Sequence, residues 1–246
     1  YILKHYGMKK TFVDIKEVAS FNSLYNGYMR ATEGKKKYRK DVKPYEQNLS
    51  ANLKNLSRKL LNESWEPSEG HTFMLFTEGK WREINTLPIE DRIVHQSLVY
   101  YMGYHLRKRF IRRTYGSIKN RGTLKSSKQL RRDLYKGVNY IVQWDMRKFY
   151  PSIDKDKLKE LIRRKIKGEA ALRLMNKIID AYKPEMKRGI SIGALTSQTN
   201  GNWMLTPFDY FCLDTMKVHF YERNVDDIVM GFRTKEEIAE KIPRMK

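Results

Sequence analysis

The spacing of apolar residues changes character several times along the chain. Leu49, Leu53, Leu56, Leu60 and Leu61 recur at helical intervals towards Trp65, which predicts one amphipathic helix. From His71 to Pro88 the text turns β-like. Thr72-Phe73-Met74-Leu75-Phe76 and Trp81-Arg82-Glu83-Ile84 flank Thr77-Glu78-Gly79-Lys80, a hairpin turning at Glu78-Gly79. A long helix follows from about Asp91, with Val94, Leu98, Tyr101 and Met102 on one side. Val138 to Trp144 reads as a strand ending at Asp145. Ser152 and Asp154, good N-cap residues, precede Leu158, Leu161, Ile162 and Ile166, with Gly168 as a stop. A second helix runs from Glu169 through Leu172, Met175, Ile179 and Tyr182 towards Pro184. Gly189 to Gly193 is a strand or turn entering a helix near Thr196-Ser197, which Pro207 is expected to kink through its ring clash. His219 to Phe232 reads as strand, tight Asn/Asp turn, strand, with Asp226-Asp227 at the tip. The sequence contains no internal repeat or low-complexity linker, and the order of elements predicts an α+β body.

The carboxylates are the candidate chemistry. Asp145 at a strand end and Asp226-Asp227 on a hairpin tip can converge on a pair of Mg²⁺ ions, because hard cations take oxygen ligands. Two such metals clamp the attacking and leaving oxygens of a phosphoryl transfer. An Asp-Asp pair alone is an ordinary solvated turn, and short motifs match by accident. The weight therefore comes from the rest of the chain.

Composition points to a partner. The 246 residues are 40% hydrophobic, enough for one or two packed cores. The net charge is +22, from 50 Lys+Arg against 28 Asp+Glu, which predicts a polyanion, above all nucleic acid. The basic residues cluster. Between His105 and Lys136, Arg112, Arg113, Lys119, Arg121 and their cationic neighbours are opposed only by Asp133. A solvated face mixes signs, so a phosphate backbone over this run is the better explanation. The sequence has no spanning-helix length and no signal-peptide core, so no membrane role is expected. Cys212 is the only cysteine, which excludes an intrachain disulfide and a Cys-rich zinc site. A cytoplasmic protein is expected.

With these elements placed, the chain resembles a bacterial reverse transcriptase over most of its length. Asp145-Met146-Arg147-Lys148-Phe149-Tyr150 resembles the first palm motif, and Asn224-Val225-Asp226-Asp227 the second, with Asn224 where an aromatic is usual. Trp81-Arg82-Glu83-Ile84 with Asp91-Arg92-Ile93-Val94-His95-Gln96 is similar to a fingers motif. Tyr115-Gly116-Ser117 with Lys119-Asn120-Arg121-Gly122-Thr123 is similar to the next block. Gly193-Ala194-Leu195-Thr196-Ser197-Gln198, followed by Asn202, Leu205 and Asp209, resembles the Gly-x-x-x-Ser-Gln motif of diversity-generating retroelements. Most other reverse transcriptases carry Ser-Pro there. Ser191 departs from the usual Pro of the lead-in.

The resemblance implies a right-hand polymerase whose antiparallel palm sheet packs on helices. It divides the chain into a helical basic region over 1–70, fingers over 71–137 and palm over 138–246. The thumb would lie beyond Lys246, so the chain reads as an excerpt. The implied activity is RNA-directed DNA synthesis, error-prone in the retroelement branch. A defence-type reverse transcriptase and a non-catalytic RNA-binding scaffold on the same fold are the alternatives. Asp145 and Asp226 are the expected ligands of Mg²⁺ or Mn²⁺, with Asp227 beside them and the carbonyl of Met146 approaching a metal. Lys80 and Arg82 are assigned to the triphosphate, Tyr150 to deoxyribose selection, and Ser197 and Gln198 to the nucleotide pocket. Arg92 is either a nucleotide or template contact or a salt bridge to Asp91. His95 is expected to be structural, and Asp154 and Asp156 are read as helix-start residues rather than ligands. The implied partners are an RNA template, a DNA or RNA primer, deoxynucleoside triphosphates and a small basic accessory variability protein.

Overall fold

Helices and short strands alternate along the chain in the computed structural model, which describes residues 9–77 and 79–245. Ahead of the hairpin lie β1 (Thr11–Phe12), α1 (Ile15–Val18), α2 (Phe21–Ala31), α3 (Val42–Gln47) and α4 (Leu49–Leu61). Asp14 and Ser20 cap α1 and α2 by accepting from the backbone N–H groups of Lys16 and Ser23. Helix α4 buries Leu53, Leu56 and Leu60, the stripe its spacing predicts. Strands β2 (His71–Thr77) and β3 (Lys80–Thr86) pair antiparallel, with Thr77 opposite Lys80. Gly79 holds the turn at φ +73°, while Glu78, the other expected turn residue, lies outside the described residues. Helix α5 (Ile89–Leu98) continues through a π turn at Val99–Gly103 into α6 (Tyr104–Arg107).

Next come α7 (Thr123–Leu134), β4 (Tyr140–Trp144), α8 (Phe149–Ser152) and α9 (Lys155–Lys165). Asp154 caps α9, accepting from Lys157 N at 3.0 Å, and Asp156 stands in its first turn, as expected. After β5 (Ile166–Lys167) and α10 (Glu169–Asp180), α11 (Leu195–Tyr210) runs through Pro207 into a π turn at Phe211–Thr215. Strands β6 (Phe220–Asn224) and β7 (Asp227–Phe232) and helix α12 (Lys235–Lys241) follow. Among the described residues no helix is long and apolar enough to cross a membrane.

The chain forms two compact units, built among the described residues from 109–149 with 201–245, and from 9–108 with 150–200. The first contains a three-stranded antiparallel sheet in the order β4-β7-β6. Tyr140, Val142 and Trp144 alternate inward on β4, against a core that includes Tyr221, Ile228, Met230 and Phe232. Ile141 and Gln143 alternate outward to solvent. The stretch Arg113–Tyr115 extends the sheet beyond β6: Arg223 N donates to Arg113 O at 3.0 Å and Tyr115 N to Arg223 O at 2.8 Å. In the second unit α2 lies so close to α5 that a Cβ on Gly27 would stand 2.8 Å from Ile93 O. Strands β1 and β5 pair in parallel there, and the amide of Asn85 at the end of β3 donates to Ile192 O at 2.9 Å.

Candidate active site

The register of the three-stranded sheet brings the acidic residues to one end. Asn224 pairs with Asp227, which leaves Val225-Asp226 as a two-residue turn. Trp144 pairs with Ile228, the residue after Asp227, and Asp145 directly follows Trp144, so Asp145 and Asp227 lie at the same end of the sheet. Asp145 and Asp227 are exposed on the face away from the core, and Asp226 is half-buried in the turn. Val225 has φ +59°, a left-handed conformation costly for a β-branched residue.

A buried polar cluster holds that strained turn. The guanidinium of Arg223, which has no solvent exposure, donates to Asp209 through Nε at 2.6 Å and Nη2 at 2.6 Å. Its Nη1 reaches Asn202 Oδ1 at 2.8 Å and the carbonyl of Val225 at 2.8 Å. Tyr221 adds a hydroxyl donor to Asp209 at 2.6 Å. Burial, the largest influence, pushes the Asp209 carboxyl up, and the fork-on-fork contact with the Arg223 guanidinium opposes that shift. Gly116 closes the other side: a Cβ there would lie 2.4 Å from Val225 Cγ2 and 2.7 Å from Val225 N. Asn202 ties that backbone down by donating to Gly116 O at 3.0 Å. Asn202, Asp209 and Gly116 lie in motifs the sequence reading marked, but Arg223 was missed. The available signal was an arginine on the same strand parity as the buried Tyr221.

Among the described residues no three His, Cys, Asp or Glu side chains converge as a ready-made metal cage. Mg²⁺ does not require one, since it keeps several waters and is held by one or two carboxylates plus substrate phosphates. Exposed carboxylates at a sheet end fit that mode of binding. The side chain of Met146 packs against the core.

Of the basic candidates in this unit, Arg112 and Lys119 project into solvent. Arg113 instead pairs with buried Asp133, Nη1 to Oδ2 at 2.8 Å, and lies over the Phe220 ring at 5.2 Å. Arg121 Nη1 donates to the carbonyls of Ile111 at 3.0 Å and Thr114 at 2.9 Å.

The other candidates lie in the second unit. Lys80 is exposed and Arg82 half-buried, two positions apart on one face of β3. Arg92 donates to the carbonyl of Ala31, and burial holds its guanidinium below its usual value. Asp91 accepts instead from Ser68 N at 2.8 Å. Tyr150 is half-buried in α8, and its carbonyl accepts from Ile190 N at 3.1 Å. Ser197 is buried and Gln198 exposed in the first turn of α11. Gly193, just ahead, has φ +112°, and a Cβ there would meet Asn85 O at 2.5 Å. Ser197 lines a cavity of about 20 Å³ with Asn85, Asp91, His95 and Asn200. Burial pushes the Asp91 carboxyl up to about 6 and His95 down to about 4, leaving the imidazole neutral. His95 Nδ1 lies 3.1 Å from Thr196 Oγ1, in the structural role expected of it.

No protein-family model matches the chain, and no curated protein matches it. Among solved structures it is similar to an apo telomerase from Candida tropicalis truncated from its C-terminal domain, with a TM-score of 0.52 and 15% identity. The match covers 80% of this chain and 51% of that one, so the chain spans about half the telomerase's length. At this identity the likeness is one of fold alone.

Proposed function

We propose that the chain carries the nucleotidyl-transfer site of an RNA-directed DNA polymerase of the diversity-generating retroelement type. The observation that supports this most is the sheet topology: the end of β4 that precedes Asp145 and the β6–β7 turn that carries Asp226 and Asp227 lie at one end of the same sheet. The reverse-transcriptase-like fold supports the same class of chemistry. Asp145, Asp226, Asp227 and the Met146 carbonyl would hold two divalent cations, Mg²⁺ or Mn²⁺. When bound, these neutralise charge on the phosphoryl group being transferred. The chain's own residues position and select. Lys80 and Arg82 bind the triphosphate, Arg82 with a fork suited to two phosphate oxygens. Tyr150 excludes a 2′-hydroxyl. Arg223 and Asp209 keep the carboxylate-bearing turn in place. Arg112 and Lys119 are assigned to template or primer, while Arg92, Arg113 and Arg121 act through the fold they hold. RNA template, primer and deoxynucleoside triphosphates are the substrates, and a small basic accessory variability protein is the proposed partner in the cytoplasm.

The branch assignment rests on Ser197-Gln198. Proline at position 198 would remove an N–H donor and stiffen the first turn of α11, whereas Gln198 leaves that turn softer. A loss of about 1.4 kcal/mol in discrimination costs about tenfold in fidelity. The test is to sequence cDNA made on one RNA by the full-length protein and by its Gln198→Pro variant. Errors should concentrate opposite template adenines and fall in the variant. Uniformly low error at all four bases would move the protein to another reverse-transcriptase branch. RNA binding without any nucleotide addition would assign it to a non-catalytic scaffold.

A further inference from the structure

We infer that the solvent face of α7 is a ridge for the phosphate backbone of single-stranded RNA; the choice of RNA rests on the polymerase reading above. Surface helices ordinarily turn an apolar stripe inward. Helix α7 turns a mostly polar one: Ser126, Gln129, Leu130 and Asp133 are its shielded positions. Ser126 Oγ donates to Glu222 Oε1 at 2.8 Å, and Gln129 Nε2 to Asp133 Oδ2 at 3.0 Å. Arg113 completes the anchor by its ion pair with Asp133 at 2.8 Å. Both carboxylates are buried, so the acids of this region face inward and none offsets the outer side.

On that outer side Leu124, Lys128, Arg131 and Tyr135 follow one another at helical spacing, flanked by Lys125 and Arg132. Leu124 is 71% and Tyr135 80% exposed, so neither is held by packing. Among the described residues Lys125, Lys128, Arg131 and Arg132 have no ion-pair partner, and like charges at such spacing repel. A polyanion removes that repulsion. Lys125 to Arg132 spans about 10 Å of helix, long enough to follow a short run of backbone phosphates. Tyr135 at the end of the ridge offers a ring for an unpaired base. A membrane-bound helix would instead show a broad apolar face, and Leu124 and Tyr135 are too few for one.

Binding of a fluorescein-labelled single-stranded RNA to the full-length protein, followed by anisotropy across a KCl series, tests this. Each lost contact to single-stranded phosphate lowers the salt slope by about 0.7. The combined Lys128→Gln, Arg131→Gln and Arg132→Gln protein should therefore bind with a slope shallower by about 2 and about tenfold lower affinity near 100 mM KCl. Tyr135→Ala should weaken binding with the slope kept. If the triple variant also lowers the thermal midpoint, Arg131→Gln alone decides through its slope change of about 0.7. An unchanged slope overturns the proposal. So does lost binding to phosphatidylserine vesicles with RNA binding intact, which would make α7 a membrane face. Binding needs no nucleotide addition, so Asp145→Asn should retain the wild-type slope, and failure here leaves the catalytic reading standing.

Discussion

Two buried residues of the second unit, Asp91 and His95, act against each other as pH changes. Asp91 keeps its proton to about pH 6 in the fold but loses it near 3.8 when unfolded, so its contribution to stability falls as pH rises through that window. His95 stays neutral down to about 4 in the fold and protonates near 6.5 when unfolded, so its contribution is lost as pH falls. The two slopes oppose one another. Asp91→Asn should unmask the histidine: relative to wild type, its stability to urea should rise by about 2–3 kcal/mol between pH 4 and pH 6. Parallel curves for the two proteins would contradict the assignment. In the first unit, Asp209→Asn leaves Arg223 charged and unpaired in the core, a loss of about 3–5 kcal/mol expected in denaturant unfolding. A loss below about 1 kcal/mol would mean that the pair is not the clamp described. Residue chemistry of this kind is poorly legible in sequence. The structural role of His95 was readable from its place on an apolar helix, whereas the Arg223–Asp209 pair is set by packing between a strand and a helix.

At the scale of elements, strand β4 of the main sheet could be read directly because one of its faces is wet. Tyr140, Val142 and Trp144 against Ile141 and Gln143 show the alternation that a one-sided sheet imposes. Helix α7 could not be read in this way. Its inner side is polar, so the periodic signal is one of charge, which resembles any solvated run. The two-residue strands β1 and β5 are too short to carry a period, and the π turns after α5 and α11 have no sequence signature. The β6–β7 turn was legible as a turn, though its strain was not, because Asn-Val-Asp-Asp does not advertise a left-handed valine. Val225→Gly should relieve that strain and raise stability by about 1 kcal/mol in urea unfolding. If the strained turn aims the carboxylates, the same variant should add nucleotides more slowly. Lower stability would contradict the first claim, and unchanged catalysis the second.

The chain has a net charge of +22 and a fold similar to that of a telomerase, and its acidic candidates gather at one sheet end within one compact unit. The sequence reading placed those carboxylates correctly on a strand end and a hairpin. What it could not supply was the division into units, since residues 109–149 and 201–245 come together from distant parts of the chain. Composition raises the expectation of a polyanionic partner but does not tell which cations are occupied in holding the fold, as Arg113 and Arg121 are. The central claim is that Asp145 and Asp226 perform nucleotidyl transfer. Its most direct test is RNA-templated primer extension with Mg²⁺ by the full-length protein, beside its Asp145→Asn and Asp226→Asn variants. Each variant should lose about a thousandfold or more in the rate of nucleotide addition, with RNA affinity and thermal midpoint unchanged. Near-normal extension by either variant would contradict it.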